Sequence, residues 1–250
     1  MNIGEASERY LKAFLLKARD KNIENTVFGK IKEISDDANL SELKWKPEAE
    51  QYLQSFDVQQ LVNILCIGKA KTSSKADLSV NGIQYTLKEI NGSPPAIVNH
   101  TPRPGFETAC NHVGVSIKKL DDIILKYWEL RKKGTIKEDT KISDPNCPFR
   151  PYKDYLKPII EYFLFTGTGR GTSNFPADKV LEINYKCLPS EMRIFEKDDY
   201  FDDVWNKLQI SIRSKGMPPN YPDCKHSDSI SKWTHIAEGK HKGSLHIRVN

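Results

Sequence analysis

Apolar residues recur along this chain with two periods, and the switch between them marks out its elements. Over residues 5–20, Tyr10, Ala13 and Phe14, widened by Leu11, Leu15 and Ala18, make an amphipathic helical stripe. A second helical stretch runs from Pro47 to Ile67, breaks near Asp57 and stops at Gly68. Leu120, Ile123, Ile124, Tyr127 and Trp128 define a third helix over 116–133, with Gly134 after a basic last turn and Trp128 as a packing residue. Residues 152–165 are helical in part despite Pro158, and 198–208 form a short helix with Phe201, Val204, Trp205 and Leu208 inward. Strands are expected at 179–185, from Gln209 to Lys215, and in a terminal hairpin pairing 230–237 with 244–249. On its last strand Leu245, Ile247 and Val249 face one way, and His246 and Arg248 the other. The segment 91–106, with four prolines and two glycines, is expected to be an irregular loop. So is 135–151.

The sharpest local signal is KADLSVNGIQYTLKEI, residues 75–90. Asn81-Gly82 tolerates the positive φ that a tight type I′ turn needs at both central residues, so it fixes a hairpin register. Val80 faces Ile83, Ser79 faces Gln84, Leu78 faces Tyr85, and Asp77 faces Thr86. Leu78, Val80, Ile83, Tyr85 and Leu87 then share an apolar face. Asp77, Ser79, Gln84, Thr86 and Lys88 share the other, where one carboxylate and one ammonium converge. This is either an ordinary solvated face or the start of a metal-and-lysine site.

The 250 residues carry 38 Lys and Arg against 33 Asp and Glu, a net +5 that suits a polyanionic partner without requiring one. A 38% hydrophobic content with no long apolar run argues against both a disordered chain and a membrane protein. The N-terminus has early acids and no signal-peptide pattern, so a cytosolic protein is expected. Five scattered cysteines and six histidines show no CxxC or HExxH spacing, which argues against a disulfide framework or a zinc site. TGTGRGTSNF, residues 166–175, is a Gly-rich turn. Without Lys-Ser or Lys-Thr after its last glycine it is weak as a nucleotide cradle, but its amides and Arg170 fit the approach to a DNA phosphate.

The run Asp77, eight residues, Thr86-Leu87-Lys88 resembles the site of the PD-(D/E)xK nucleases, with Thr86 where that superfamily usually has Glu or Asp. Taken with the GTGRGTSNF turn feeding a strand and the C-terminal Trp-Thr and LHIR strands joined by a Gly-Lys-rich tip, the chain resembles small type II restriction endonucleases that cut short G·C-containing sites. The resemblance implies a restriction-endonuclease-like α/β (α+β) fold, a central mixed sheet bearing the catalytic hairpin, flanked by helices, with a C-terminal β-hairpin. It implies a single domain whose residues 1–68 are a helical N-terminal portion, 69–135 the catalytic core and 136–250 the DNA-recognition portion.

For the site, the resemblance implies Mg²⁺ bound by Asp77, by the backbone carbonyl of Leu87 and by Thr86, directly or through water. Lys88 holds the attacking water and scissile phosphate. A helix glutamate, Glu5 or Glu8, is a candidate distal acid, with Glu5 the one placed in the catalytic set, although acids in a first helical turn also suit the helix dipole. Arg248 and His246, helped by Thr234 and Asn99, would read bases of double-stranded DNA. Lys240, Lys242, Arg213 and Lys215 would contact phosphate, and Ser93, His100, Arg103 and Arg170 are further candidate contacts. The implied activity is Mg²⁺-dependent phosphodiester hydrolysis at a short palindrome, by a monomer or homodimer. A repair or recombination nuclease of the same fold, a DNA-binding protein without catalysis, and a nucleotide-binding protein using residues 167–171 are the alternatives.

Overall fold

The computed structural model describes residues 1–36, 39–71, 73–92, 94–213, 233–237 and 240–250. In chain order the elements are α1 (Ile3–Asp20), β1 (Ile34–Ser35), α2 (Glu50–Gln54), α3 (Val58–Leu65), β2 (Leu78–Val80), β3 (Ile83–Glu89), β4 (Ala96–Pro102), α4 (Arg103–Val113), α5 (Ile117–Lys132), β5 (Thr140–Lys141), α6 (Lys153–Glu161), β6 (Gly167–Thr168), β7 (Gly171–Thr172), β8 (Lys179–Ile183), β9 (Met192–Phe195), α7 (Lys197–Val204), β10 (Leu208–Arg213), β11 (His235–Ala237), β12 (Lys240–Lys242) and β13 (Ser244–Val249). The fold is mixed α/β, and the chain forms two compact units: residues 1–93 with 173–200, and residues 94–172 with 201–250.

The first unit is built on a mixed sheet in the order β1-β2-β3-β8-β9, with β3 and β8 parallel and the other pairs antiparallel. The β2–β3 register is the one that Asn81-Gly82 dictates, Val80 opposite Ile83 and Leu78 opposite Tyr85, with φ of +52° and +82° at the turn. Asn81 also accepts the Lys32 amide at 2.8 Å, which ties the turn to the segment before β1. Asn2 caps α1 by accepting the Glu5 amide, and Leu11, Leu15 and Leu16 are fully buried in a core shared with α3, Leu78, Val80 and Tyr85. Each such leucine contributes about 1.5–3 kcal/mol.

The sequence pattern leaves the second face of β3 open to solvent. In the structure it is closed in part: Ser79 and Thr86 are 7% and 3% exposed, while Asp77, Gln84 and Lys88 on the same face are half-buried.

The second unit carries an antiparallel sheet in the order β4-β13-β10-β5. Two expectations are corrected here. Residues 91–106 are not an irregular loop. Pro94 and Pro95 precede an edge strand, Pro102 caps α4, and Pro104 lies in its first turn, so the prolines sit where a missing N–H costs nothing. The long polar loop 135–151 likewise contains β5, which pairs with β10.

A C-terminal hairpin forms between β11 and β12. The strand 244–249, however, pairs with β10 and β4, while 235–237, the described part of the expected first strand, pairs with β12; the rest of 230–237, apart from 233–234, lies outside the described residues. In β13 Leu245 and Ile247 are each 1% exposed, while His246 and Arg248 are half-buried on the opposite face. Trp128 is core, and its indole donates to the Trp233 carbonyl at 3.1 Å. Gly105 of α4 and Gly169 of the β6–β7 turn pack so closely that a Cβ on either would lie 3.0 Å from the other's Cα. Gly169 thus serves packing within the unit.

Candidate active site

Asp77 lies just before β2. Its amide donates to the Tyr85 carbonyl at 2.8 Å, extending the hairpin by one step, and this carries its carboxylate across to β3. Oδ2 accepts the Leu87 amide at 2.6 Å, and the Thr86 hydroxyl approaches the same oxygen at 3.5 Å, too long to count for much. Lys88 is coupled to it electrostatically. Burial drags the Lys88 ammonium below its ordinary value, and the Asp77 charge pulls it back up. The hairpin therefore brings Asp77, Thr86, Leu87 and Lys88 together.

Asp77 and Leu87 open onto a cleft of about 240 Å³, which Asn2, Gly4, Glu5, Glu8, Lys69 and Glu89 also line. Four carboxylates against one ammonium make it acidic. Thr86 and Lys88 do not line it. The four acids are not equivalent. Glu5 is paired with Lys69 at 2.6 Å near solvent, and that hydrogen bond holds its carboxyl below the usual range.

Glu89 accepts from the Ser7 hydroxyl at 2.6 Å, the Asn91 amide at 2.9 Å and the Tyr185 amide at 3.3 Å, so it braces α1 against the end of β3. Glu8 differs. It accepts the Ala70 amide at 2.8 Å and pairs with buried Lys12 at 2.6 Å. Its carboxyl is raised by burial first; Lys12 opposes this and the Asp77 charge adds to it. That sensitivity of Glu8 to the Asp77 charge, and the cleft both line, set Glu8 near Asp77. Lys12 in turn holds Asp36 at 2.6 Å.

Sequence reasoning missed Lys75. Burial first, and then the Lys88 charge, push its ammonium down to about 8, with Asp77 opposing. The signal was two residues away: carrying the hairpin's alternation back from Asp77 puts Lys75 on the same face. Glu89 was also missed, because it follows Lys88 on the face taken to be apolar.

The expected DNA contacts divide. Arg248 and Arg213 stand on one face of the second unit's sheet with His246, whose ring stacks on His100 at 4.5 Å. Asn99 and Arg170 are exposed and Thr234 is half-buried. Arg103 is 3% exposed, with a bidentate pair to Asp121 at 2.7 and 2.9 Å and a third contact to Glu107. This corrects the expectation of an exposed contact: Arg103 is an internal anchor between α4 and α5. Lys240 and Lys242 lie on β12, whereas Lys215 and Ser93 fall outside the described residues.

Among the described residues no group of three or more His, Cys, Asp or Glu is arranged to hold a metal, and no helix is long and apolar enough to cross a membrane. No family model matches this sequence, and neither does any curated protein. Among solved structures, the restriction endonuclease MspI in complex with its cognate DNA aligns over 78% of this chain and 77% of its own, at 14% identity and a TM-score of 0.35.

Proposed function

We propose that this protein is a Mg²⁺-dependent endonuclease that cleaves double-stranded DNA at a short palindromic sequence. The observation that carries the reading is the Asp77 carboxylate, bonded to the Leu87 amide, coupled to Lys88, Lys75 and Glu8, and open to an acidic cleft. The donors at hand are all oxygens, and few. That is the set Mg²⁺ takes, because it keeps several waters and binds through one or two carboxylates plus substrate phosphate rather than in a protein cage. Asp77 and Glu8 would supply the carboxylates, and the Leu87 carbonyl and Thr86 hydroxyl neutral oxygens.

When bound, the ion supplies Lewis acidity for the scissile phosphate and a template for the attacking water. The chain's own part is electrostatic. Lys88, partly desolvated, meets the charge that develops on the non-bridging oxygens, and such a preorganised cation is worth more in a water-poor site than in solvent. Lys75 adds a second cation on the same side. Glu8 takes the place of the acid absent at Thr86, and Glu5, neutralised by Lys69, stays at the cleft's rim. Base reading falls to Arg248 and His246, with Arg213, Arg170, Lys215, Lys240 and Lys242 toward phosphate and Asn99 and Thr234 in support.

Incubation with unmethylated phage DNA in Mg²⁺, beside EDTA and Ca²⁺ controls, tests this. Discrete Mg²⁺-dependent fragments are expected, and a smear would point to a repair-type nuclease instead. The uncharged, buried Thr86 favours one rival, a DNA-binding protein without catalysis. It would retard DNA and leave it intact with every divalent ion.

A further inference from the structure

On the second unit's sheet, Arg213 and Arg248 share one carboxylate. Arg213 Nη2 lies 2.5 Å and Arg248 Nη2 3.1 Å from Asp139 Oδ1, and Arg213 Nη1 is 3.2 Å from Glu138 Oε1. These side chains are 21–35% exposed, so the pairs are reachable by solvent and by a ligand. The two acids are placed firmly. They immediately precede β5, which is registered on β10 through Gln209 opposite Lys141, and buried Tyr127 donates its hydroxyl to the Glu138 carbonyl at 2.7 Å. Arg213 is steadied further by the Ser211 hydroxyl at 3.0 Å. The buried Nε of Arg248 has no hydrogen-bond partner among the described residues, so its guanidinium has capacity in reserve.

We propose that Asp139, with Glu138, is a specificity-determining residue: it occupies Arg213 and Arg248 in the free protein and so competes with the phosphates of any DNA that lacks the right bases. The inference rests on the reading of these arginines as DNA contacts. Carboxylate and phosphate oxygens accept from the same guanidinium fork, so one excludes the other. Sequence-independent binding grows with the number of phosphates neutralised, and the two acids offset the charge of these two arginines. The work of displacing Asp139 is the same for every sequence. Only a site that returns base contacts, such as a bidentate arginine–guanine pair, offsets it. That lowers occupancy of the many competing sites in a genome more than occupancy of the correct one.

The test is fluorescence anisotropy of a mixed-sequence 20-bp duplex with full-length protein in EDTA, over a salt series. The proteins are wild type, Asp139→Asn, Glu138→Gln and Glu129→Gln. The last adds the same charge at an exposed i,i+3 pair with Lys126. Asp139→Asn is expected to bind about three- to ten-fold tighter near 0.1 M salt, with a salt slope steeper by about one. Glu138→Gln should move the same way by less, which keeps the test alive should Asp139→Asn fail to fold. Adding Arg213→Ala to Asp139→Asn should remove most of the gain.

An equal gain in Glu129→Gln, or none in folded Asp139→Asn and Glu138→Gln, overturns the inference while leaving the DNA-binding reading intact. No retention of duplex by any of the proteins at any salt overturns both.

Discussion

In the first unit a cation is bracketed by two acids, Lys12 between Glu8 and Asp36 at 2.6 Å each; in the second an acid is bracketed by two cations, Asp139 between Arg213 and Arg248. The motifs mirror each other in charge but not in access. The Lys12 and Asp36 side chains are fully buried and that of Glu8 is 7% exposed, whereas the Asp139 set keeps a fifth to a third of its surface. A fully desolvated bracket cannot exchange partners without a penalty of several kcal/mol. A half-exposed one can, because water and a phosphate stand in for what is lost. The first bracket therefore fixes a carboxylate in place beside Asp77. The second holds arginines in readiness for something else.

The largest effect is expected at the proposed catalytic charges of the first unit. Asp77→Ala and Lys88→Ala should each lower cleavage by about 10⁴-fold, about 5 kcal/mol in the barrier, while binding of duplex in Ca²⁺ changes by only a few fold. Single-turnover cleavage beside gel retardation separates the two quantities. Lys88→Ala cutting at the wild-type rate would show that the catalytic charges lie elsewhere and would dissolve the division of labour between the units. Next is the buried bracket. Lys12→Met strands Glu8 and Asp36 without a counter-ion, and should cost about 3–5 kcal/mol in urea unfolding. A loss under about 1 kcal/mol would mean that the bracket is not the anchor its burial implies.

These two tests fall on residues of very unequal visibility in the sequence. Asp77 and Lys88 were legible because Asn81-Gly82 fixes a register, and a register fixes faces. The burial of Thr86 was not, since period-two alternation assigns a face but says nothing about what packs over it. Nothing in the sequence singles out Lys12, because a helical stripe cannot show that Asp36 closes over it. Of Glu5 and Glu8, the sequence offered no ground for choice; the choice comes from Lys69, which neutralises the first, and from the burial of the second beside Asp77.

The partner of β13 was misjudged for a related reason. Its alternation fits an adjacent hairpin and the distant strand β10 equally well, and tertiary packing decides. Asp139 was hidden in what read as a polar loop.

On the second unit, Arg248→Ala should weaken binding to the cognate site by about 1–3 kcal/mol while mixed-sequence affinity falls by less. Competition titrations with the cleaved site and a scrambled duplex measure the ratio. An equal loss on both would reduce Arg248 to a phosphate contact and remove the contrast with Arg213.

The smallest expected effect concerns His246, and it probes how far the second bracket polarises its surroundings. Burial first, then the charges of His100, Arg248 and Arg213, push this imidazole down to about 4, with Asp139 opposing. Its ordinary value is 6.5, so between about pH 6.5 and 4 the unfolded chain binds a proton that the folded chain refuses. The slope of stability with pH follows the proton excess of the unfolded state. Stability is therefore lost as pH falls through that window, and is fully present above it.

Because His246 is only half-buried, solvent screening reduces the loss to about 1 kcal/mol. His246→Asn cannot take up the proton, so its stability should fall less between pH 6.5 and 4.5 than that of wild type, by about that amount in urea titrations. Asp139→Asn removes the one group named here that favours the imidazolium, and should steepen the wild-type loss. Parallel pH profiles for wild type and His246→Asn would mean that the folded ring accepts its proton near the ordinary value. The arginines beside it would then be more fully neutralised by Asp139 and Glu138 than a bracket poised for exchange allows.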